Sequence, residues 1–368
     1  MKKRRSDTRA HKVLRVLAGV VLICVLAFAG LVGFLSATEY RPGDVEPVEV
    51  VSTTPAAASV AQDQTLRYLT WNVGFGALGD NADFFMDGGT AVMPSDEARV
   101  DENVAAMAEH IAESNADYIF LQEVDRNSKR SFGKDQVPEL AASMANYSFA
   151  YNFRVAYVPY PLPPIGRVES GILSASRYDL GESMRYQLPL SFGWPESMAN
   201  LKRCLLVSRT PVVDAAGNAT GKELVSVNLH LEAYDSGAGK IAQTKMLANL
   251  LAQEAEKGNY VVAGGDFNQV FSGTDTSAYP SYEGTWAAGA LDEHAFGDGF
   301  SFLMDTTTPS CRSLDKPYAG ADHEHFQYYM LDGFIVSSNV AVSKVETQDL
   351  GFAHSDHNPV MMELRLAA

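Results

Sequence analysis

A chain of 368 residues that is 46% hydrophobic and 20% charged can bury a large core, which argues against a disordered protein. Residues 1–16 hold seven basic side chains against one acid, Asp7, so everything after them must carry −22 for the whole to reach −16. A domain this acidic repels polyanions at long range, which disfavours a general nucleic-acid binder. Three cysteines are too few for a disulfide-stapled scaffold or a multi-cysteine zinc site. Cys24 lies in an apolar run, and Cys204 and Cys311 form either one disulfide or two separately buried thiols.

No charged residue occurs between Arg15 and Glu39, and residues 17–37 read LAGVVLICVLAFAGLVGFLSA. At ~1.5 Å per residue such a run spans a hydrocarbon core of ~30 Å. The basic segment 1–16 belongs on the cytoplasmic side, which sends the bulk of the chain outward. A signal peptide has a shorter apolar region, about 7–15 residues, and Leu35-Ser36-Ala37-Thr38 is a weak cleavage site. The reading is a single-pass membrane anchor, with a secreted form if the segment is cut. Residues 38–64 are rich in Pro, Ala, Ser, Thr and Val without an amphipathic period and read as a tether. Residues 65–368 read as one domain.

Within that domain, 66–73 is a strand rich in aromatic and β-branched residues. Val100, Val104, Met107 and Ile111 recur at helical spacing and predict a helix over 96–115. DYIFLQEV at 117–124 predicts a buried strand, and 171–175, 204–208, 224–231 and 260–263 predict others. A helix is predicted over 240–256, with Ile241, Thr244, Leu247 and Leu251 on one face and Gly258 as its stop. Strands at 333–336 and 359–366 complete an α/β order, with 150–200 and 272–330 as long loops around the site. The segment PYPLPPIG at 159–166, with Tyr151, Phe153 and Tyr157, is either an apolar wall beside a cleft or a loop packed on the core. Arg154, Arg167, Lys202, Arg203 and Arg312 are either phosphate or head-group contacts or ordinary surface charges.

Polar residues interrupt these apolar strands at their ends. Asn72 ends LTWNV, Glu123 ends FLQEV, and His230 sits in VNLHLE. Asp266 and Asn268 follow VVAGG, Asp332 opens LDGF, and Asp356 and His357 precede the last strand. A carboxylate inside an apolar strand costs several kcal/mol unless it is paired or metal-bound, whereas strand ends can converge on one cleft. Each residue alone has an ordinary structural reading as a turn, cap or core histidine. The ordered set does not.

LTWNV, LQEVD, GILSAS, VNLHL, GGDFN, LDGFIVS and SDHNPV resemble, in order, the motifs of the endonuclease/exonuclease/phosphatase superfamily, over about residues 66–366. The resemblance implies a DNase I-like, four-layer αββα sandwich and hydrolysis of phosphoesters with Mg²⁺, or Mn²⁺ or Ca²⁺. It implies Glu123 as the main metal ligand, with Asn72 and Asp356 as further metal contacts. It implies Asp266 as the group that activates water, Asn268 and His230 as phosphate contacts, and Asp332 with His357 as an acid–histidine pair. Some members carry an acid two residues after the position of Asn72, where this chain has Gly74.

Hard oxygen ligands such as Glu123 and Asp356 suit these dications, and histidines donate to charge developing on phosphoryl oxygens. The favoured reading is a monomeric extracytoplasmic phosphodiesterase or phosphatase acting on a lipid head group or small phosphoester. The alternatives are a surface-anchored nuclease and a catalytically silent binding protein on the same fold.

Overall fold

The computed structural model describes residues 9–94, 96–235 and 237–368. Of the predicted basic segment, residues 1–8 lie outside the described residues. The apolar run forms one helix, Arg9–Thr38, longer than the 17–37 core and exposed along its length apart from Leu35 and a few partly covered positions. It is long and apolar enough to be a membrane span or a signal sequence.

Two sheets make the centre of the domain. One runs Val45–Val48, Ser183–Gln187, Cys204–Val213, Ala219–His230, Tyr260–Asp266, Asp332–Ser337 and Phe300–Leu303, with Val60–Ala61 added beside Cys204–Val213. The other runs Val340–Thr347, Val360–Leu366, Thr65–Asn72, Tyr118–Asp125, Gly166–Ser176, Asn146–Val158 and Val50–Ser52. Successive side chains on a strand point to opposite faces, and here both faces are buried. Leu66, Tyr68, Tyr118, Phe120, Leu224, Val262, Phe334, Val360 and Met362 form the core between the sheets. Their strand neighbours Leu69, Trp71, Ile119 and Leu121 pack outward with Val104, Met107 and Ile111 of the helix Glu97–Glu113. On the opposite side Val225, Val227, Val261, Ala263 and Ile335 pack outward with Leu247 and Leu251 of the helix Ala238–Glu256. This is the expected four-layer sandwich, with near-continuous apolar runs because every central strand is covered twice.

The structure corrects several expectations. Residues 38–64 are not a tether: Val45–Val48 pairs with Ser183–Gln187, Val50–Ser52 with Asn146–Val158, and Val60–Ala61 with Cys204–Val213. Short edge strands gain their stability from the partner strand, so their own sequence carries little signal. The 150–200 loop is instead mostly the long pair Asn146–Val158 and Gly166–Ser176 followed by Ser183–Gln187, and the alternation Tyr147, Phe149, Tyr151, Phe153 was a strand pattern. Ile241 is 71% exposed, so the helix buries a face centred on Leu247 and Leu251 without it. Of the two alternatives left open for Cys204 and Cys311, the structure shows two separately buried free thiols.

Away from the site, Arg209 reaches Glu254 through two nitrogens at 2.7 and 3.0 Å, and Lys257 and Asn259 complete the carboxylate's partners at 2.8 and 2.9 Å. Burial opposes the charge, but these donors outweigh it and hold the Glu254 carboxyl down at about 2. A depressed folded pKa contributes stability that is present above the ordinary carboxylate range and lost as pH falls toward about 2. Glu254→Gln is therefore expected to lower stability at neutral pH by about 2–3 kcal/mol and to flatten the acid limb of a denaturation profile; an unchanged acid limb would remove this role. A chain beginning at residue 65 is expected to melt well below one beginning at residue 39, since it lacks three strands and the wholly buried Val60. Equal melting temperatures would restore the tether.

Candidate active site

Strand register assembles half of the site. His230, Asp266 and Asp332 are direct partners on three neighbouring strands, forming one row across the end of the eight-stranded sheet. Parallel approach of the first two strands needs a glycine at 265, where a Cβ would lie 2.0 Å from the Leu229 carbonyl oxygen. On the facing sheet Asn72 is the partner of Gln122, and Glu123 follows in a bulge between Leu121 and Val124. Simple alternation would put Glu123 on the helix-facing side with Leu121. Its left-handed φ of 56° re-aims it, a strained conformation of the kind that bulges hold beside functional clefts.

Asn72 joins the two rows. Its amide nitrogen donates to Asp266 Oδ2 at 3.0 Å and to Glu123 Oε1 at 3.3 Å, while its oxygen accepts the Gly74 N–H. Beneath it, Gln122 Nε2 donates to Asn228 Oδ1 at 2.9 Å, and Asn228 donates to the Leu173 carbonyl, so polar bonds cross between the sheets under the site. These two amides were missed in the sequence, although each is a polar residue inside an apolar strand.

Asp266 is 1% exposed. Its Oδ1 accepts the Asn268 N–H at 2.8 Å, and His230 Nε2 and His357 Nε2 lie 3.5 and 3.8 Å from Oδ2. Burial, helped by the charge of Asp332, pushes its carboxyl up to about 7 against the pull of His357, Asn72 and the Asn268 N–H. Asn268 sits at φ 50° and donates its amide to the Leu231 carbonyl. His357 Nδ1 is 2.7 Å from Asp332 Oδ2. Burial works against a charge on His357, yet Asp332 holds it protonated, whereas burial and the Arg203 cation push His230 well down to the neutral form. The His357 loop is pinned by Trp71 Nε1 donating to the His357 carbonyl and by Ser355 Oγ donating to the Asn72 carbonyl, both at 2.8 Å.

Asp356 completes the expected set, 7% exposed. It and Asp87, which the sequence did not single out, are each pushed up to about 6, by burial first, with the negative charge of Glu123 adding to Asp356 and those of Asp356 and then Glu123 adding to Asp87. Asp87 ends a short turn, Phe85–Asp87, and accepts from Tyr234 Oη at 3.0 Å. It follows no apolar strand, so nothing local marked it. A Cβ at Gly74 would lie 3.0 Å from Asp356 Oδ1, so an acid there would crowd Asp356; in this chain Asp87 brings a carboxylate to the region from elsewhere. Within the site, two sets of ligand atoms lie mutually within 4.8 Å: Asp266, Asp332 and His357, and Cys311, Asp356 and His357. Glu123 belongs to neither and meets the site through Asn72 and the acid cluster.

Each of the five candidate cations has a partner within the protein. Arg312 donates to the carbonyls of Gly79 and Ser313, Arg203 pairs with Glu232, and Lys202 with Glu39. Arg167 donates to Asn127, and Arg154 lies over the Tyr40 and Tyr151 rings. The missed Arg130 is held by both oxygens of Asp125 and stacks 3.7 Å from the Phe75 ring centroid.

The arrangement can hold a base, a charged histidine and a set of hard oxygen ligands in one buried seam. Among solved structures, an endonuclease/exonuclease/phosphatase from Beutenbergia cavernae is 18% identical, covering 83% of this chain and 72% of that one at a TM-score of 0.53. One from Bacteroides vulgatus is 17% identical, covering 83% of this chain and 100% of that one at a TM-score of 0.50. At these identities the likeness speaks for the fold alone. No curated protein matches the chain. The model of the Endonuclease/Exonuclease/phosphatase family matches residues 69–357, a span that contains every candidate site residue, and the chain belongs to that family.

Proposed function

We propose that this protein is an extracytoplasmic, divalent-metal-dependent phosphoester hydrolase in which water attacks phosphorus. The observation that carries the reading is the row His230, Asp266, Asp332 at one sheet end, closed by the 2.7 Å contact of Asp332 with His357. Asp266 takes the proton of the attacking water, a role suited to a carboxyl drawn toward neutrality. The protonated His357 and the N–H of neutral His230 meet charge that develops on the phosphoryl and leaving oxygens. Asn268, braced by Leu231, positions Asp266 through its backbone N–H and supports the phosphate.

Crowded carboxylates such as Asp356 and Asp87, both raised by burial, mark a site that a hard cation would relieve, and the neighbouring Glu123 would add a further oxygen ligand. Bound there, Mg²⁺, Mn²⁺ or Ca²⁺ would neutralise phosphoryl charge as a Lewis acid. Asn72, with its amide hydrogens toward both Glu123 and Asp266 and its oxygen on Gly74, suits a donor that spaces the two acids better than a direct ligand.

A lipid head group or small phosphoester is the favoured substrate class. Arg130, Arg203 and Arg312 near the seam are engaged by Asp125, Glu232 and backbone carbonyls, so among the described residues these cations form no open basic stripe to follow a nucleic-acid backbone. The extracytoplasmic setting is supported by the apolar helix and the basic residues before it.

Asp266→Asn and His357→Ala are each expected to lower kcat by about 10²–10⁴-fold on a generic phosphodiester while leaving the melting temperature within a few degrees. Near-normal turnover in either would sink the assignment. Chelator should abolish hydrolysis, with Mg²⁺ or Mn²⁺ restoring it in the parent, and Glu123→Gln should shift the required metal concentration upward. Turnover indifferent to chelator would remove the metal, and plasmid nicking that outpaces hydrolysis of every small or lipid phosphoester would favour the nuclease.

A further inference from the structure

The end of the sandwich that bears the candidate site is also the end where the apolar helix joins it. Asn72 and Asp266 close their strands at this edge. Register places Gln187 opposite Cys204, and Leu205 opposite Leu229 beside His230, so the segment from 188 to 203 emerges there too. Val45 is the partner of Tyr186, which brings residues 38–44 to the same edge. The helix is seated on the domain: Leu35 is buried, Ser36 Oγ lies 3.0 Å from Met198 Sδ, and Glu39 pairs with Lys202 Nζ at 3.0 Å.

Two uncharged loops project from this edge with apolar tips. The segment 157–165 holds the last two residues of the strand Asn146–Val158 and its link to Gly166–Ser176, strands that run on past Asp125 at the site end of its strand. Tyr160 and Leu162 there are 70% and 86% exposed. Residues 188–195 lead into the turn that carries Met198, and Leu190 and Trp194 are 49% and 72% exposed. Tyr160 packs edge-on against Phe85 at 6.2 Å, in the turn that ends at Asp87, so the first loop borders the mouth of the acid cluster. Clustered large apolar side chains in water mark an interaction surface, and Trp and Tyr at the foot of an apolar helix match the chemistry of a membrane interface.

We propose that the loops at 157–165 and 188–195 dip into the interface of the same bilayer that holds the helix, so that the catalytic mouth faces lipid and meets the phosphoester of a membrane lipid. The inference rests on the anchored-hydrolase reading above. The helix provides the occupant: its continuity with this edge puts a lipid surface there, whereas a soluble substrate would need no apolar rim. Insertion of about 5–10 Å is the usual depth for such amphipathic contacts.

The chain contains three tryptophans, of which Trp71 is 1% exposed and Trp194 is the most exposed. Full-length protein reconstituted in phosphatidylcholine vesicles with brominated acyl chains should lose part of its tryptophan fluorescence, and Trp194→Phe should remove that quenching. Quenching that is absent, or that survives in W194F, overturns the proposal; a disulfide-linked dimer of W194C in the vesicles would then assign the surface to a second copy of the chain. As a second arm, Leu162→Asp should slow hydrolysis of a vesicle-borne p-nitrophenyl phospholipid about ten-fold and leave bis(p-nitrophenyl) phosphate hydrolysis unchanged. Equal effects on both substrates also overturn it. Failure of the parent to hydrolyse either substrate would count against the hydrolase reading alone, because the quenching result does not depend on turnover.

Discussion

Like charges gathered out of water are the constraint on which the rest of this structure depends. Asp266, Asp332, Asp356 and Glu123 occupy one seam with Asp87 at its border, and burial lifts three of them well above the ordinary carboxylate range. Such a cluster persists only when donors and a rigid frame offset its cost. Asn72 is the central donor, since one amide group serves carboxylates that originate on different sheets. His357 is the central cation, held in its charged form by Asp332.

The frame is the pair of sheets. Their facing side chains pack Tyr68, Tyr118, Phe120 and Phe334 into a dry core, while Tyr68 with Ser226 and Gln122 with Asn228 add hydrogen bonds across it. Stacking the sheets therefore does more than bury surface. It sets the distance between Asn72 at the end of one and Asp266 at the end of the other. A shift of either strand by one residue would turn these side chains to the opposite face and separate the row. Seen this way, the buried amides below the site and the charged groups within it form one polar column through an apolar sandwich.

Much of this was legible in the sequence because its signals are local. Apolar runs ended by Asn72, Glu123 and Asp266 mark strands that are buried on both faces and open at one end. The helix over 96–115 was visible from Val100, Val104, Met107 and Ile111, which all turn inward. What stayed hidden depends on partners far along the chain. Asp87 lies in a turn among glycines and earns its place only through proximity to Glu123 and Asp356. The strands at 45–48, 50–52 and 60–61 have no pattern of their own and exist because Ser183–Gln187, Asn146–Val158 and Cys204–Val213 offer them open edges. Arg203 and Arg312 looked available for phosphate, but Arg203 is paired with buried Glu232 and Arg312 donates to the Gly79 and Ser313 carbonyls.

By itself the sequence determined the family, the order of strands and helices, the apolar N-terminal helix and the identity of the polar residues at strand ends, since periodicity and short motifs need no distant partner. The tertiary structure decided which of those residues touch, which histidine is neutral and which is charged, and that the apolar helix enters at the site-bearing edge. Those outcomes follow from strand register and from burial, and both are properties of residues brought together across the fold rather than along the chain.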